Sequence, residues 1–285
     1  MLHENIQNQS SVDTKTACQL AGMHANTYRQ RDKTKPRVDQ VTRHVKRIAK
    51  QFPRYGYRRI TKTLQREHFS VNHKRVHKIM QKHGLIAKKR KAFKPATTDS
   101  NHGFFVQPNR VKSIRPTRLN QVWVSDITYV QLPKGFAYLA VVLDRFSRKV
   151  LGWQLSRDID TNLTLDALTR AIASRNGQNL NGLIHHSDRG VQYAANAYIQ
   201  QLDQYGILAS MSAKGNPYDN AFAESFMKTV KYDEVYLNEY ESFDDAYQNI
   251  EHFIEEVYNK KRLHSAIGYQ PPAEFEQKIL KGVGA

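Results

Sequence analysis

The sequence contains one cysteine, Cys18, and no apolar run that approaches the ~20 residues of a membrane-spanning helix. A single cysteine excludes an intramolecular disulfide and any zinc finger built on cysteine pairs. The first eleven residues are polar and lack the apolar stretch of a signal peptide. Together these absences predict a cytoplasmic protein with no membrane partner.

Acidic residues are scarce in one half of the chain. Residues 1–120 carry 28 basic and 6 acidic side chains, a net charge of +22, whereas residues 121–285 carry 16 basic and 20 acidic, a net charge of −4. A strongly basic half joined to a near-neutral half indicates a nucleic-acid-binding region attached to a separate globular domain. The alternative is a protein kept soluble by its charge, which explains the uneven distribution poorly.

Three helical patterns follow one another in the basic half. Apolar residues recur at helical spacing over residues 38–52 and again over 57–68, and Asn72 is placed to cap a third helix over 72–84. The outward groups of this third helix are mostly basic: His73, Lys74, Arg75 and Lys78. The patterns predict a helix-turn-helix DNA-binding domain over residues 36–87, with its third helix as the recognition element. A basic bundle that contacts only phosphates is the alternative.

The segments on either side of this domain have less regular patterns. Residues 1–35 include a small helix-turn-helix-like pattern around Gly22, for which a generic helical hairpin is the alternative. Residues 88–118 are basic, contain several prolines and have few apolar residues. We expect them to form a linker that can follow a phosphate backbone.

Strand and helix patterns alternate in the neutral half. Three strand patterns with short turns between them occupy residues 122–132, 136–146 and 149–156, and two more occupy 183–188 and 207–211. Helical patterns cover residues 163–175, 196–205, 221–236 and 243–261. Three antiparallel strands followed by α/β crossovers predict an α/β fold, a ribonuclease-H-like mixed five-stranded sheet with flanking helices.

Three carboxylates are placed unusually in this pattern. Asp126 lies at the centre of the first strand, where an unpaired charge is costly. Asp188 ends the fourth strand, the neighbour of the first in the predicted sheet, and Glu224 lies on the helix after the fifth. Carboxylate oxygens suit Mg²⁺ or Mn²⁺, and two such ions about 4 Å apart can activate a hydroxyl and stabilise a leaving oxygen at phosphorus. Three unrelated surface acids are the alternative.

Two lysines follow the third carboxylate. Lys228 and Lys231 come four and seven residues after Glu224, so all three share one helical face. A carboxylate flanked by cations suits a site for a metal ion and a polyanion, but it also suits two surface ion pairs. A Gly-Asn-Pro turn precedes this helix, and Asp219 or Asn220 offers its N-cap.

Several motifs resemble those of a known family. The segments 123–129, 186–193 and 215–224, with 35 residues between Asp188 and Glu224, resemble the DDE core of retroviral integrases. The segments 55–59, 258–265 and 268–273 resemble the helix-turn-helix and C-terminal signatures of OrfB-type insertion-sequence transposases. The chain is therefore similar, from about residue 14 onward, to that transposase family.

The resemblance implies DNA strand transfer at the ends of a mobile element. Asp126, Asp188 and Glu224 would bind two Mg²⁺ (or Mn²⁺) ions per site, and Lys228 and Lys231 would hold phosphates near the scissile bond. In the helix-turn-helix domain, DNA contacts would include Arg58 and Arg59. The implied domains are a catalytic core over 119–264 and a C-terminal tail over 265–285.

The resemblance also implies partners and a location. The partners are double-stranded DNA, as element ends and as target, and a second copy of the chain on that DNA. The location is the bacterial cytoplasm, and the nucleoid when the protein is bound to DNA. Many relatives act as fusions with an upstream frame that carries a leucine zipper. This chain opens with Met1 and has no heptad run, so the resemblance leaves two alternatives: the downstream product acts alone, or it acts with, or fused to, an upstream-frame protein.

Two other functions fit parts of the pattern. A catalytically silent DNA-binding regulator would keep the fold without its chemistry, and a ribonuclease-H-like nuclease would cleave without joining. The three acids at family spacing favour the enzyme, and the basic helical region favours specific DNA ends over a generic hybrid duplex.

The charge distribution predicts how DNA binding depends on salt. We expect the affinity for an element-end duplex to fall steeply as salt rises, because a basic surface that neutralises phosphates releases their counterions, with a log–log slope of about −0.9 for each phosphate contacted. Fluorescence anisotropy across a salt series measures this slope. A flat response would contradict extensive phosphate contact.

Overall fold

A computed structural model describes Gln19, Gly22 and residues 40–85, 103–213 and 220–282. Apart from Gln19 and Gly22, the small helical segment predicted within residues 1–35 lies outside the described residues. So do residues 86 and 87 of the predicted helix-turn-helix domain, residues 88–102 of the predicted linker, and the Gly-Asn-Pro turn with Asp219. No helix of the described part is long and apolar enough to span a bilayer.

The basic part folds as three short helices around an apolar cluster of their own. These are α1 (Gln40–Gln51), α2 (Tyr57–Arg66) and α3 (His73–Lys82). The cluster is formed by the inward faces of all three helices and includes Val45, Ile48, Ile60, Leu64 and Val76. The Asn72 side chain accepts a hydrogen bond from the Lys74 backbone N–H at 2.9 Å, which confirms the predicted cap.

The rest of the chain is built on a five-stranded mixed sheet in the order β3-β2-β1-β4-β5. The strands are β1 (Val122–Gln131), β2 (Phe136–Asp144), β3 (Val150–Ser156), β4 (Ile184–Ser187) and β5 (Leu208–Met211). Strands β1, β2 and β3 pair antiparallel, whereas β4 pairs parallel to both β1 and β5. The predicted ribonuclease-H-like sheet is confirmed.

Helices cover both faces of the sheet. They are α4 (Thr161–Ala173), α5 (Val191–Ala194), α6 (Asn196–Gln204), α7 (Ala221–Val230), α8 (Phe243–His252) and α9 (Pro272–Leu280). Helices α7 and α8 share an apolar cluster with Val122, Val124 and Val130, and α4 to α6 share the other with Trp123. The alternation along β1 therefore buries both faces of the strand.

Helix α4 approaches the sheet more closely than any side chain would permit. A Cβ built on Gly152 in β3 would lie 2.1 Å from the Ala167 carbonyl oxygen and 2.4 Å from the Ala171 nitrogen. Both atoms are helix backbone and cannot move aside. Glycine at this position is what allows α4 to lie against the strand.

Two predicted helices change their winding part-way. Helix α7 continues as a π-helix over Lys231–Val235, and α8 continues as a π-helix over Phe253–Tyr258. The apolar spacing predicted continuous helices over 221–236 and 243–261. The apolar spacing does not distinguish an α-helix from a π-helix, because a single π turn shifts the positions of the apolar residues by only one residue.

Residues 265–285, predicted to be a tail, include an ordered helix. The 3₁₀ turn Ser265–Ile267 leads into α9, which begins with Pro272 at a position where a missing N–H costs nothing. Within α9, Phe275 and Glu276 are buried. This segment therefore packs against the fold.

The described half of the predicted linker also packs against the sheet. Val111 is buried in the apolar cluster beneath α7. The Arg110 backbone N–H donates to Ser210 Oγ at 2.9 Å, and its Nε donates to the Ala209 carbonyl at 3.1 Å. Residues 103–118 therefore depart from the expected free linker, because they find partners along β5.

Polar contacts join the helical bundle to the C-terminal segment. The Leu263 backbone N–H donates to the Tyr55 hydroxyl at 2.8 Å. Arg66 and Glu274 form an ion pair at 2.5 Å. Apolar residues of the bundle form a cluster separate from the two clusters of the sheet.

A buried ion pair fastens α9 to the end of α4. The Arg175 guanidinium donates to both oxygens of Glu276, at 2.9 and 2.5 Å, and the Ser147 hydroxyl donates to the same carboxylate at 2.7 Å. Burial raises the pKa of Glu276, but the hydrogen bonds and charge of Arg175 outweigh it and hold that pKa below its ordinary value. The pair is charged and fully desolvated.

We expect Glu276→Gln to lower the free energy of unfolding by about 3–5 kcal/mol, because it leaves Arg175 buried without its counter-charge. Since the folded pKa of Glu276 lies below the unfolded value of about 4.3, this contribution should be present above that pH and be lost as the pH falls. Urea denaturation of the full chain at several pH values measures both effects.

The matched control is Glu256→Gln, which makes the same chemical change in an exposed pair with Lys260. We expect little change there, since exposed pairs contribute little to stability. Equal effects of the two substitutions would contradict the role given to Glu276.

Candidate active site

Asp126 lies at the middle of β1, on the face that α7 covers. Its carboxylate is half-buried, and Oδ1 accepts a hydrogen bond from the Ile127 N–H at 2.9 Å. Burial, then the charge of Asp188, and less strongly that of Glu224, raise the pKa of Asp126 to about 8. The Ile127 hydrogen bond and the charge of Lys231 act in the opposite direction. The fold thus brings the three sequence-predicted carboxylates close enough to repel one another.

The parallel pairing of β1 and β4 places Asp188 near Asp126. Val124 of β1 lies opposite His186 of β4, and each aspartate follows two residues later. Asp188 Oδ1 accepts from the Gly190 N–H at 2.9 Å, in the turn that starts α5. The carboxylate therefore sits where β4 ends, as the sequence pattern predicted.

Glu224 is held by the start of α7. Its backbone N–H donates to the Asn220 carbonyl, which places it in the first turn of the helix. Asn220 occupies the N-cap position but makes no capping hydrogen bond. Its buried Nδ2 donates instead to the Ser125 carbonyl at 2.9 Å. This bond links the start of α7 to the residue next to Asp126, and no local sequence pattern predicts it.

The two lysines after Glu224 have different surroundings. Lys228 lies 3.8 Å from Glu224 in an exposed ion pair. Lys231 is half-buried, with its ammonium 3.7 Å from the centre of the Tyr129 ring. Burial lowers the pKa of Lys231 to about 8, against the opposing charge of Asp126. Lys231 is therefore close enough to Asp126 to be influenced by its charge, whereas Lys228 pairs with Glu224.

Buried histidines support the strands behind the carboxylates. His185 hydrogen-bonds to the Ser125 hydroxyl at 2.7 Å and to the Tyr198 hydroxyl at 3.0 Å. Burial and the neighbouring His186 lower the pKa of His185 to about 3, so its imidazole is neutral at pH 7. His185 therefore links β1, β4 and α6 as a packed hydrogen-bonding group.

The donor set of the site suits a hard divalent cation. It consists of carboxylate oxygens, the ligands that Mg²⁺ and Mn²⁺ prefer, and a cation between them would relieve the repulsion that raises the pKa of Asp126. Within the described ranges, no group of three or more His, Cys, Asp or Glu side chains is close enough to hold a metal ion. The residues fit the ion by chemistry and charge.

The predicted DNA-contacting residues divide into two sets. The exposed face of α3 carries His73, Lys74, Arg75 and Lys78. On α2, Arg58 is exposed, and its guanidinium lies 5.5 Å from the centre of the Tyr57 ring. Arg59 is half-buried against Tyr55 and lines a cavity shared with the sheet domain. The structure thus groups the α3 residues on one surface and turns Arg59 away from them.

Comparisons with known families cover most of the chain. The family described as "Integrase core domain" matches residues 116–217, and a second family of the same description matches 205–272. The family described as "HTH-like domain" matches residues 36–93.

Two curated relatives show the family to which the chain belongs. The transposase for insertion sequence element IS904 of Lactococcus lactis is 40% identical over 79% of this chain and 88% of its own length. Transposase InsF for insertion sequence IS3A of Escherichia coli K12 is 36% identical over 80% of this chain and 78% of its own length. The chain belongs to the IS3 family of insertion-sequence transposases. The resemblance drawn from the motifs is confirmed.

Solved structures similar to this IS3-family transposase come from retroviral systems. A chain of the simian T-cell lymphotropic virus intasome, in complex with PP2A regulatory subunit B56 gamma, is 17% identical and covers 78% of this chain and 70% of its own length, with a TM-score of 0.47. The HTLV-2 integrase catalytic core domain in complex with magnesium is 17% identical and covers 56% of this chain and 99% of its own length, with a TM-score of 0.44.

The Asn220 tether predicts a stability effect next to the site. We expect Asn220→Ala to lower the free energy of unfolding by about 1–3 kcal/mol, because it leaves the buried Ser125 carbonyl without this donor. Urea denaturation of the IS3-family transposase measures the change. Asn238→Ala is the matched control, since it removes an exposed amide that donates to Glu234. Equal losses in the two variants would contradict the tether.

Proposed function

We propose that this IS3-family transposase cleaves and joins DNA strands at the ends of an insertion sequence by two-metal-ion phosphoryl transfer. The observation that carries the proposal is the surroundings of Asp126, whose pKa is raised by burial and then by the nearby charges of Asp188 and Glu224. Curated relatives named as transposases of insertion sequences support the choice of DNA ends as the substrate.

The three carboxylates are proposed to hold the metal ions. Asp126 and Asp188 approach from adjacent parallel strands, and Glu224 approaches from the helix that covers them. When bound, Mg²⁺ or Mn²⁺ would supply Lewis-acid activation of an attacking hydroxyl and stabilise the leaving oxygen at phosphorus. Placement on two strands and one helix keeps the carboxylates aligned during the reaction.

The lysines are proposed to hold phosphates of the DNA strand. Lys231 is fixed against Tyr129 beside Asp126 and offers an ammonium that is already partly desolvated. Lys228 forms an exposed ion pair with Glu224, which contributes little to stability and is given up at small cost. Both cations can therefore turn to the polyanion when DNA binds.

The proposed chemistry has two displacements at phosphorus. Water attacks the phosphodiester at the element end, the P–O bond to the 3′ oxygen breaks, and a free 3′-hydroxyl leaves. That hydroxyl then attacks a second phosphodiester in line, and the displaced oxygen leaves as a hydroxyl. No covalent bond to the enzyme is needed, because the carboxylates position the reactants and do not attack them.

DNA end recognition is proposed for the helical domain. We assign it to residues 36–87 and strand transfer to residues 119–264, with double-stranded DNA as the partner of both. The exposed face of α3, with His73, Lys74, Arg75 and Lys78, is the proposed contact surface. Joining two DNA ends favours at least two copies of the chain on the DNA.

The experiment that tests the function is strand transfer with labelled element ends and Mg²⁺. We expect Asp188→Asn to reduce both cleavage and joining by at least about a hundredfold, because an amide ligates Mg²⁺ more weakly than a carboxylate does. End binding in the absence of metal should persist, since Asp188 is not a DNA contact.

The matched control is Asp203→Asn, the same change on the exposed side of α6. It should join DNA as the unmodified chain does. Joining by the Asp188 variant would overturn the metal assignment. Binding without joining by the unmodified chain would favour the catalytically silent regulator.

A further inference from the structure

A cavity of about 290 Å³ lies beside α7, apart from the three carboxylates. Strands β1 and β2 contribute Val124, Leu143 and Asp144 to its walls, and the other lining residues come from α2, the turn between β2 and β3, α7, and the end of the π-helix after α8 with the segment that follows it. Four arginines lie in this second group, at least one in each part except α7: Arg59, Arg145, Arg148 and Arg262. Asp144 is the single acid among the described lining residues.

The turn between β2 and β3 fixes two of these arginines on one aromatic ring. The guanidinium carbons of Arg145 and Arg148 lie 4.4 and 4.1 Å from the centre of the Phe222 ring. Arg148 has a left-handed backbone, with φ of +66°, and its carbonyl accepts from the Tyr258 hydroxyl at 3.0 Å. The stacked pair is therefore held in place by the backbone and the ring.

The carboxylate of Asp144, the acid in this cavity, is hydrogen-bonded to backbone N–H groups and not to an arginine of the cavity. Asp144 accepts hydrogen bonds from the backbone N–H groups of Asn120, Phe146 and Ser147, at 2.7 to 2.9 Å. These bonds shape the turn. Arg262 has its own acid, since its Nε donates to Asp233 at 3.0 Å. Arg145 and Arg148 have no comparable ion pair among the described residues.

Three buried nitrogens of cavity-lining residues have no hydrogen-bond partner within the described part of the chain. They are Nε of Arg145, Nε of Arg148 and Nε2 of His264. Buried N–H donors are nearly always paired, so the two arginine Nε groups in one cavity require an explanation. His264 is neutral, and its Nε2 is a donor or an acceptor according to the tautomer. Burial, and then the charges of Arg262, Arg59 and Arg148, lower the pKa of His264 to about 2, so its imidazole adds no positive charge at pH 7.

We propose that this cavity binds a phosphate group of a DNA strand. A phosphate would supply the negative charge that the guanidinium groups of Arg145 and Arg148 lack among the described residues, whereas water would not. The planar forks of two arginines match phosphate oxygens and bind them with charge-assisted hydrogen bonds. The inference rests on the proposed function, because DNA is the polyanion that this protein is proposed to hold.

The position of the cavity gives the bound phosphate a role distinct from catalysis. Phe222, Ser225 and Thr229 line it from one flank of α7, and Glu224 projects from the other at steps of about 100° per residue. Arg59 reaches the same cavity from the helical bundle. A strand held there contacts both the recognition domain and the helix that carries Glu224.

The test measures binding of a labelled element-end duplex to the full chain without divalent metal, so that it does not depend on catalysis. We expect Arg145→Gln to weaken binding about tenfold at fixed salt, and to make the slope of log affinity against log salt shallower by about 1. The matched control is Arg157→Gln, an exposed arginine stacked 4.7 Å from the Phe243 ring outside the cavity. It should change the affinity by no more than about twofold.

A second variant separates a loss of DNA binding from a loss of folding. Ser225→Glu adds a carboxylate at the exposed rim of the cavity and removes no arginine. It should hold or raise the melting temperature while weakening DNA binding, because the new charge takes the place of the phosphate. Gln204→Glu makes the same charge change on α6, outside the cavity, and should leave DNA binding nearly unchanged.

Inorganic phosphate, compared with chloride at equal ionic strength, separates the two sources of the anion. Phosphate should raise the melting temperature of the unmodified chain more than that of Arg145→Gln. Suppose that phosphate raises the melting temperature only when Arg145 is present, and that Arg145→Gln does not change the affinity for DNA. The cavity would then be a site for free phosphate, and the DNA assignment would be wrong. Equal DNA affinities for Arg145→Gln and Arg157→Gln would overturn the inference while leaving strand transfer intact. Failure of the unmodified chain to bind any duplex would overturn the proposed function as well.

Discussion

The burial of Asp126 in the middle of β1, near the charges of Asp188 and Glu224, is the constraint on which the arrangement of the site depends. Val124 and Val130 of this strand are packed beneath α7, yet Asp126 stands between them with its pKa raised to about 8. A site of this kind is stable only if rigid elements hold each acid in place. The parallel β1–β4 pair, the Asn220 bond to Ser125 and the packed His185 supply that rigidity.

The sequence predicted the sheet and its acids because their signals are local. Alternation along β1, the strand end at Asp188 and the helical run after Asn220 each occupy a few consecutive residues. The three acids were assigned together since their order and spacing match a family pattern, and the curated relatives confirm that family. Their mutual electrostatics followed only from the fold.

Features that join distant segments could not be predicted from the sequence in the same way. Residues 265–285 were predicted to be a tail, but Glu276 in this segment pairs with Arg175, about a hundred residues earlier. No local sequence pattern predicts that ion pair. Pro272 was the available signal, since proline is favoured at the start of a helix. The arginine cavity is lined by residues from both ends of the described chain, from Arg59 to Ala266, and the Asn220 tether joins residues 95 apart, so both arise only in the folded chain.

The joint between the helical bundle and the sheet domain has a mechanical consequence. Its hydrogen bond from Leu263 to Tyr55 and its ion pair between Arg66 and Glu274 are polar contacts, and each part keeps its own apolar cluster. The ion pair is partly exposed and exchanges with water at little cost, whereas opening the hydrogen bond would expose the buried Tyr55 and Leu263. Rising ionic strength therefore weakens one of these two contacts directly and leaves the other in place.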